Sequence, residues 1–312
     1  MIASVTDMEL WEGELPPSRD VLSNKVRDVE GLLSLLTDVV DAELMAAAPR
    51  LKVISNMAVG YDNIDITEAS KQGIFVGNTP GVLTETTADF TFALLLATAR
   101  RLVKADEYTR NGNWKTWSPM ALLGQDIHHA KLGIVGCGRI GLEVAKRARG
   151  FDMRILYYGK RRRTHEEEKE YGLQFIPKLT DLLSEADFVS VHTALTLETH
   201  HLIGASELAK MKPTAILINA ARGPIVDQNA LYHALKSHQI LAAGLDVTEV
   251  EPIPYDDRLL TLDNVIIAPH IGSATVDTRT KMAKMAAENL ISGLRNEPLP
   301  NCVNPEARNQ KE

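Results

Sequence analysis

Cysteine is scarce in this chain: only Cys137 and Cys302 occur among 312 residues. They stand far apart and lack metal-ligand spacing, so no metal site is expected and a reducing cytoplasm is the expected compartment. No apolar run is long enough to span a bilayer, which leaves a membrane out of the expected partners. Asp7, Glu9, Glu12 and Glu14 interrupt the start, where a secretory signal needs an apolar stretch. An excess of positive charge is missing too. The formal net charge is −7, so no global basic field invites nucleic acid. There is no internal repeat and no low-complexity segment. What remains is a chain of 312 residues, enough for two domains with sizeable cores.

Strand-like runs alternate with helical ones from end to end. The runs are Leu32–Leu36, Lys52–Ser55, Ile74–Gly77, Leu132–Val135, Ile155–Tyr158, Phe188–Val191, Ala215–Asn219, Ala242–Asp246 and Val265–Ala268. Amphipathic stretches such as Asp227–Ser237 lie between most of them. This alternation predicts an α/β protein with parallel sheets covered by helices on both faces. The longest helical pattern runs from Thr84 to about Asn111, with Ala93-Leu-Leu-Leu-Ala97 at its centre. At 1.5 Å per residue it would extend roughly 40 Å, long enough to bridge two domains. A last helix, Ser273 to Arg295, is expected to cross back to the first domain.

Lys131-Leu-Gly-Ile-Val-Gly-Cys-Gly-Arg-Ile-Gly141 reads as a strand, a glycine turn and a helix start. The glycines Gly136, Gly138 and Gly141 have the spacing G-x-G-x-x-G, which alone is weak and gains weight only from context. Here Leu132–Val135 is a buried-strand run, and Val144, Ala145 and Ala148 recur at helical spacing after it. Gly136 would permit the tight turn, Gly138 would let a pyrophosphate reach the backbone, and Gly141 would let helix and strand pack closely. The helix N-terminus offers N–H groups and partial positive charge to the phosphates. Cys137, Arg139 and Ile140 complete the phosphate turn. The blander reading is a glycine-rich turn of some other α/β protein.

An acid is missing where one would decide the cofactor. An NAD site usually places Asp or Glu at the end of the second strand, against the ribose 2′-hydroxyl. This chain reads Tyr158-Gly159-Lys160-Arg161-Arg162-Arg163 there. Such cations suit a 2′-phosphate, so NADP is favoured over NAD. Glu166, Glu167 and Glu168 follow at once, and a solvated basic loop balanced by them is the alternative.

Three more strand ends carry polar chemistry. Arg222 follows Ile218-Asn-Ala-Ala221, Glu251 follows Asp246-Val-Thr-Glu-Val250, and His270 follows Ala268-Pro269. The carboxyl edge of an open parallel sheet faces the ligand crevice. Each residue alone has an ordinary reading as a solvated arginine, a turn-starting Glu-Pro or a structural histidine. Together, beside a nucleotide turn, they form a candidate catalytic set.

With these motifs, and with Ala58-Val-Gly-Tyr-Asp62 and Gly244-Leu-Asp246, nearly the whole chain resembles the D-isomer-specific 2-hydroxyacid dehydrogenases, closest to their glyoxylate/hydroxypyruvate reductase branch. The resemblance implies a Rossmann-type doubly wound parallel sheet domain inserted into a smaller flavodoxin-like α/β substrate domain. Residues 1–98 and 272–312 would form the substrate domain and residues 99–271 the dinucleotide-binding domain, with the active cleft between them. It also implies a homodimer, in which the loop bearing Trp117 reaches a partner's active site. A core or interface tryptophan is the alternative there.

The family's roles carry over to matching positions. Arg222 would clamp the substrate carboxylate and polarise the carbonyl with its forked donors. His270 would give a proton to the carbonyl oxygen as hydride arrives, while Glu251 fixes the tautomer and favours the charged imidazole. Backbone N–H groups of Val59 and Gly60 would bind the other carboxylate oxygen, and Ser273 would contact substrate. Asp246 would orient the nicotinamide carboxamide, with Thr193, Ala220, Ala221, Gly272, Gly159, Lys160 and Arg161 also lining the cofactor site. The implied reaction is reduction of glyoxylate to glycolate and of hydroxypyruvate to D-glycerate. The rivals are a dehydrogenase of the same fold for phosphite, formate, D-lactate or D-glycerate, and a dinucleotide-sensing corepressor.

Three departures from the family pattern bear on these expectations. Gly159 and Lys160 stand where NADP-using relatives place Ser and Arg, which removes one hydroxyl contact that Arg161 or Arg162 could replace. Ala194-Leu195-Thr196 replaces Pro-Leu-Thr. Family members also begin with a strand and a helix before the segment matching Val5–Trp11. That strand is therefore expected to be missing from the first sheet, leaving unpaired edges.

Overall fold

The protein, described over residues 1–310 by a computed structural model, divides into two compact units. The first comprises Met1–Leu83 with Thr275–Glu312, and the second Thr84–Ala274. No helix among the described residues is long and apolar enough to cross a membrane.

The first unit is built on three parallel strands, β1 (Gly31–Ser34), β2 (Val53–Asn56) and β3 (Phe75–Gly77), in the order β1-β2-β3. Every residue of β2 is buried, as its central place requires. Val40, Leu44, Met45, Ile54, Ile64, Ile74 and Val76 form the core on one face. On the other face lies the helix Val276–Leu294, whose Leu290 packs with Val53. Contact there is so close that a Cβ on Gly293 would lie 2.5 Å from the Val53 side chain. The expected return of the last helix to this unit is therefore what the packing shows, with Thr275 as its cap. Before the helix Arg19–Lys25 the only regular element is a short 3₁₀ turn, Ile2–Ser4.

The second unit is a seven-stranded parallel sheet. Its strands are β4 (Lys131–Val135), β5 (Arg154–Tyr158), β6 (Leu173–Phe175), β7 (Phe188–Val191), β8 (Ile216–Asn219), β9 (Ala242–Leu245) and β10 (Val265–Ile267). The order is β10-β9-β8-β7-β4-β5-β6. Chain order therefore reverses between β4 and β7, which makes the gap beyond their carboxyl ends the topological switch point where ligands bind in such sheets. Two cores cover the faces, one around Leu182, Leu217 and Leu235, the other around Leu95, Ile134 and Val144. Each such Leu or Ile contributes roughly 1.5–3 kcal/mol by leaving water.

Two expectations are corrected. The pattern from Thr84 to Asn111 is not one helix but two, Thr84–Ala99 and Leu102–Arg110. The chain turns at Arg101, whose φ of 53° is left-handed. Ala99's carbonyl accepts from Gln125 N at 2.9 Å, and so the loop at Gly124-Gln125 takes the bond that a continuing helix would make. The domain boundary also moves. The first domain was expected to run to residue 98, but the helix Thr84–Ala99 falls in the second unit, where Thr98 and Leu94 bear on Gly244 of β9.

Candidate active site

The glycine turn joins β4 to the helix Arg139–Arg149. Gly136 has φ +92°, and a Cβ there would lie 2.6 Å from Thr193 N, just beyond β7. The turn therefore sits at the switch point, with no room for another residue. A Cβ on Gly141 would lie 2.7 Å from the Gly136 carbonyl, so the helix packs tightly on the turn. Gly138 differs: a Cβ there would meet nothing within 4 Å. Its position opens on the helix N-terminus, which no side chain caps. Exposed N–H groups facing open space fit a pyrophosphate. Cys137 is buried, and burial pushes its thiol up to about 11, so it packs as an inert small residue.

Four cations follow β5, and three have anionic partners. Arg162 makes a two-pronged pair with Glu168, 2.8 Å on each arm. Arg163 grips the Cys137 carbonyl, with Nε at 2.7 Å and Nη2 beside it, and lies 3.3 Å from Glu167. Lys160 pairs with the exposed Glu198. Arg161 is exposed and has no ion-pair partner among the described residues. Gly159 sits beside the turn, its Cβ position 4.0 Å from Cys137 N.

Arg222, Glu251 and His270 lie past the carboxyl ends of β8, β9 and β10. His270 Nδ1 is 2.7 Å from Glu251 Oε2, which leaves Nε2 as the nitrogen available to a ligand. About 29 % of the His270 side chain is exposed. Its φ of 55° is left-handed, a conformation that costs a non-glycine residue about 1–2 kcal/mol. Asp246 holds it there. His270 N donates to the Asp246 carbonyl at 2.9 Å, while Ile271 N and Gly272 N donate to its carboxylate at 2.8 and 2.7 Å. Burial raises the Asp246 pKa against these two bonds. Glu251 is held in turn by Thr248 N at 3.2 Å.

The Arg222 loop is fixed by Asn219, which donates to the Arg222 carbonyl at 2.9 Å and accepts from Ala221 N at 3.1 Å. A Cβ on Gly223 would lie 1.8 Å from the Thr248 carbonyl oxygen. The loops bearing Arg222 and Glu251 are thus in direct backbone contact. Ala220, Ala221 and Arg222 are half-buried, as are Thr193 and Ser273. Trp117 is 80 % exposed, and no core of this unit includes it.

In the first unit, Val59 and Gly60 follow β2. Their carbonyls are held by Asn78 at 2.8 Å and Asn56 at 2.9 Å. Neither amide N–H has an acceptor among the described residues, so both are available to an anion.

Comparison with known proteins matches residues 92–272 to the family described as D-isomer specific 2-hydroxyacid dehydrogenase, NAD binding domain. The chain is 58 % identical over 301 residues to the glyoxylate reductase of Korarchaeum cryptofilum, covering 96 % of this chain and 90 % of that one. The chain belongs to the D-isomer specific 2-hydroxyacid dehydrogenases. Among solved structures, a Thermus thermophilus protein superposes with a TM-score of 0.86 at 47 % identity, covering 93 % of this chain and 90 % of its own. The NADPH-dependent glyoxylate/hydroxypyruvate reductase of Sinorhizobium meliloti, in complex with NADP and malonate, gives 0.81 at 35 % identity, over 91 % and 86 %.

This dehydrogenase is therefore an oxidoreductase that uses a nicotinamide dinucleotide and acts on small 2-oxo or 2-hydroxy acids. Several residues that shape its site escape a reading of the sequence. Asn56 and Asn219 end β2 and β8, and each uses its side chain to hold the loop that follows. An asparagine closing an apolar run is the one signal that could have found them. Thr248 carries no such signal, because its partner is set by loop geometry, whereas Glu168 was one of three acids expected to balance the basic run and proves to be the one that Arg162 grips with both arms.

Proposed function

We propose that this dehydrogenase reduces small 2-oxo acids to D-2-hydroxy acids, with glyoxylate and hydroxypyruvate as substrates and NADPH preferred to NADH. The observation that carries the reading is the His270–Glu251 pair at 2.7 Å, set with Arg222 along the sheet edge that also bears the glycine turn. The Thr84–Ala274 unit serves as the cofactor domain and the other as the substrate domain.

When bound, the reduced nicotinamide supplies the hydride. Arg222 binds the substrate carboxylate and polarises the carbonyl through its fork of N–H donors. The amides of Val59 and Gly60 take the other carboxylate oxygen. Glu251 accepts the Nδ1 proton of His270, so Nε2 carries the proton that passes to the carbonyl oxygen as the alcohol forms. Ser273 contacts substrate. Asp246 has both oxygens engaged by backbone donors, and its second lone pairs remain for the carboxamide. Gly136, Cys137, Gly138, Arg139, Ile140 and Gly141 cradle the pyrophosphate. Thr193, Ala220, Ala221 and Gly272 line the rest of the cofactor site.

The NADP preference is supported by the absence of an acid at the end of β5 and by Arg161, which has no ion-pair partner among the described residues, with Lys160 beside it. The Sinorhizobium meliloti relative holds NADP. Homodimer formation is supported by the exposed Trp114, Trp117, Met120 and Leu123 in one stretch. The two free cysteines agree with a cytoplasmic location. The test is a panel of glyoxylate, hydroxypyruvate, pyruvate, phosphite and formate with each cofactor. Glyoxylate and hydroxypyruvate should turn over fastest, and with NADPH. Oxidation of phosphite or formate alone, or no turnover of any 2-oxo acid, would overturn the proposal.

A further inference from the structure

Glu168 is a buried carboxylate far along the sequence from Arg222, Glu251 and His270, and it organises the turn that follows β5. Tyr157, fully buried in β5, donates its hydroxyl to Glu168 Oε1 at 2.7 Å and accepts from Arg163 N at 2.8 Å. Arg162 closes on both oxygens of Glu168, and its guanidinium lies 5.7 Å from the centre of the Phe175 ring. The Arg162 bonds, then the Tyr157 hydroxyl, hold the Glu168 carboxyl down at about 2, so it is ionised at any working pH. The Arg163 side chain meanwhile ties the same turn to the Cys137 carbonyl in the phosphate loop. Two of the four cations are thus spent on holding the turn. Of the others, Lys160 has among the described residues only an exposed pair, which solvent screens, and Arg161 has no ion pair there.

We propose that Glu168 is a positioning residue for cofactor selection: by fixing Arg162 and Tyr157 it folds residues 159–163 so that Arg161, seconded by Lys160, meets the 2′-phosphate. This deepens the NADP preference and rests on it. Arg162, which a count of charges would enlist against the phosphate, is instead part of the scaffold.

The test is steady-state kinetics with NADPH and NADH at saturating glyoxylate for wild type, Arg161→Ala, Glu168→Gln and Tyr157→Phe. Arg161→Ala should lower the NADPH-to-NADH ratio of kcat/KM by on the order of 10-fold or more. Glu168→Gln should raise KM for NADPH roughly 2- to 10-fold, the range of one net hydrogen bond, while KM for NADH and kcat hold. Simple charge deletion predicts the opposite, because removing a negative charge near the phosphate should lower that KM. Tyr157→Phe should shift KM for NADPH in the same direction, and it carries the test if Glu168→Gln shows no NADH turnover and so has not folded. In the Glu168→Gln background Arg161→Ala should cost less than in wild type, since both act through one contact. If Arg161→Ala is selective but Glu168→Gln and Tyr157→Phe leave or lower KM for NADPH, the positioning role is wrong and the NADP reading stands. If Arg161→Ala leaves the ratio unchanged, both fall.

Discussion

Arg222 and His192 show how much of this protein's behaviour is decided by single side chains. A guanidinium presents a planar fork that matches a carboxylate, and a lysine presents one point charge. Arg222→Lys is therefore expected to raise KM for glyoxylate by about 10-fold or more, and an unchanged KM would argue against carboxylate binding there. His192 follows β7, with Nε2 2.8 Å from Ser190 Oγ. Burial pushes its pKa from 6.5 down to about 4. Between those values the unfolded chain holds the extra proton, so stability falls as pH drops from about 6.5 towards 4. His192→Gln should flatten this part of a Tm-against-pH curve, and an unaltered slope would place the dependence elsewhere. Arg222, Glu251 and His270 were legible in the sequence because each lies within a few residues past an apolar run that had to be a strand. The roles of Asn56 and Asn219 were not, because a side chain that bonds the backbone of the next loop leaves no mark on local periodicity, and of the three acids that could balance the basic run the sequence did not single out Glu168.

At the scale of elements, the parallel strands were readable wherever an apolar run was long enough to be buried on both faces. β6 was not read, since Leu173-Gln-Phe175 has three residues and its middle one faces solvent. The helix pattern beyond Ala99 misled for a physical reason: side-chain periodicity continued, while the carbonyl it needed was taken by Gln125 N. Gly223 is the sharpest test of how loops cooperate. Alanine there must displace the Thr248 carbonyl, and with it the loop that carries Glu251. Gly223→Ala should destabilise by about 1–3 kcal/mol and lower kcat by roughly 10-fold or more. Wild-type Tm and kcat together would show that the two loops are not coupled.

For the whole molecule, the first unit draws on both ends of the chain: residues 31–77 supply its three strands, and the helix Val276–Leu294 returns to cover one face of that sheet. The boundary was less legible: Thr84–Ala99 is apolar enough to suit either unit, and only its packing on the helix Arg139–Arg149 and on β8 and β9 assigns it. The exposed arm with Trp114 and Trp117 belongs to this scale as well. On the proposed homodimer, Trp117→Ser should raise the dissociation constant by on the order of 10-fold or more, as loss of an aromatic anchor buried in an interface does. Sedimentation equilibrium would show it, and an unchanged constant would remove Trp117 from the interface. The central claim concerns the reaction itself, and the direct measurement is glyoxylate reduction by wild type and His270→Ala under saturating NADPH. The account predicts steady turnover by wild type and a kcat lower by on the order of 10² to 10⁴ in the variant. Near-normal turnover by His270→Ala would contradict it.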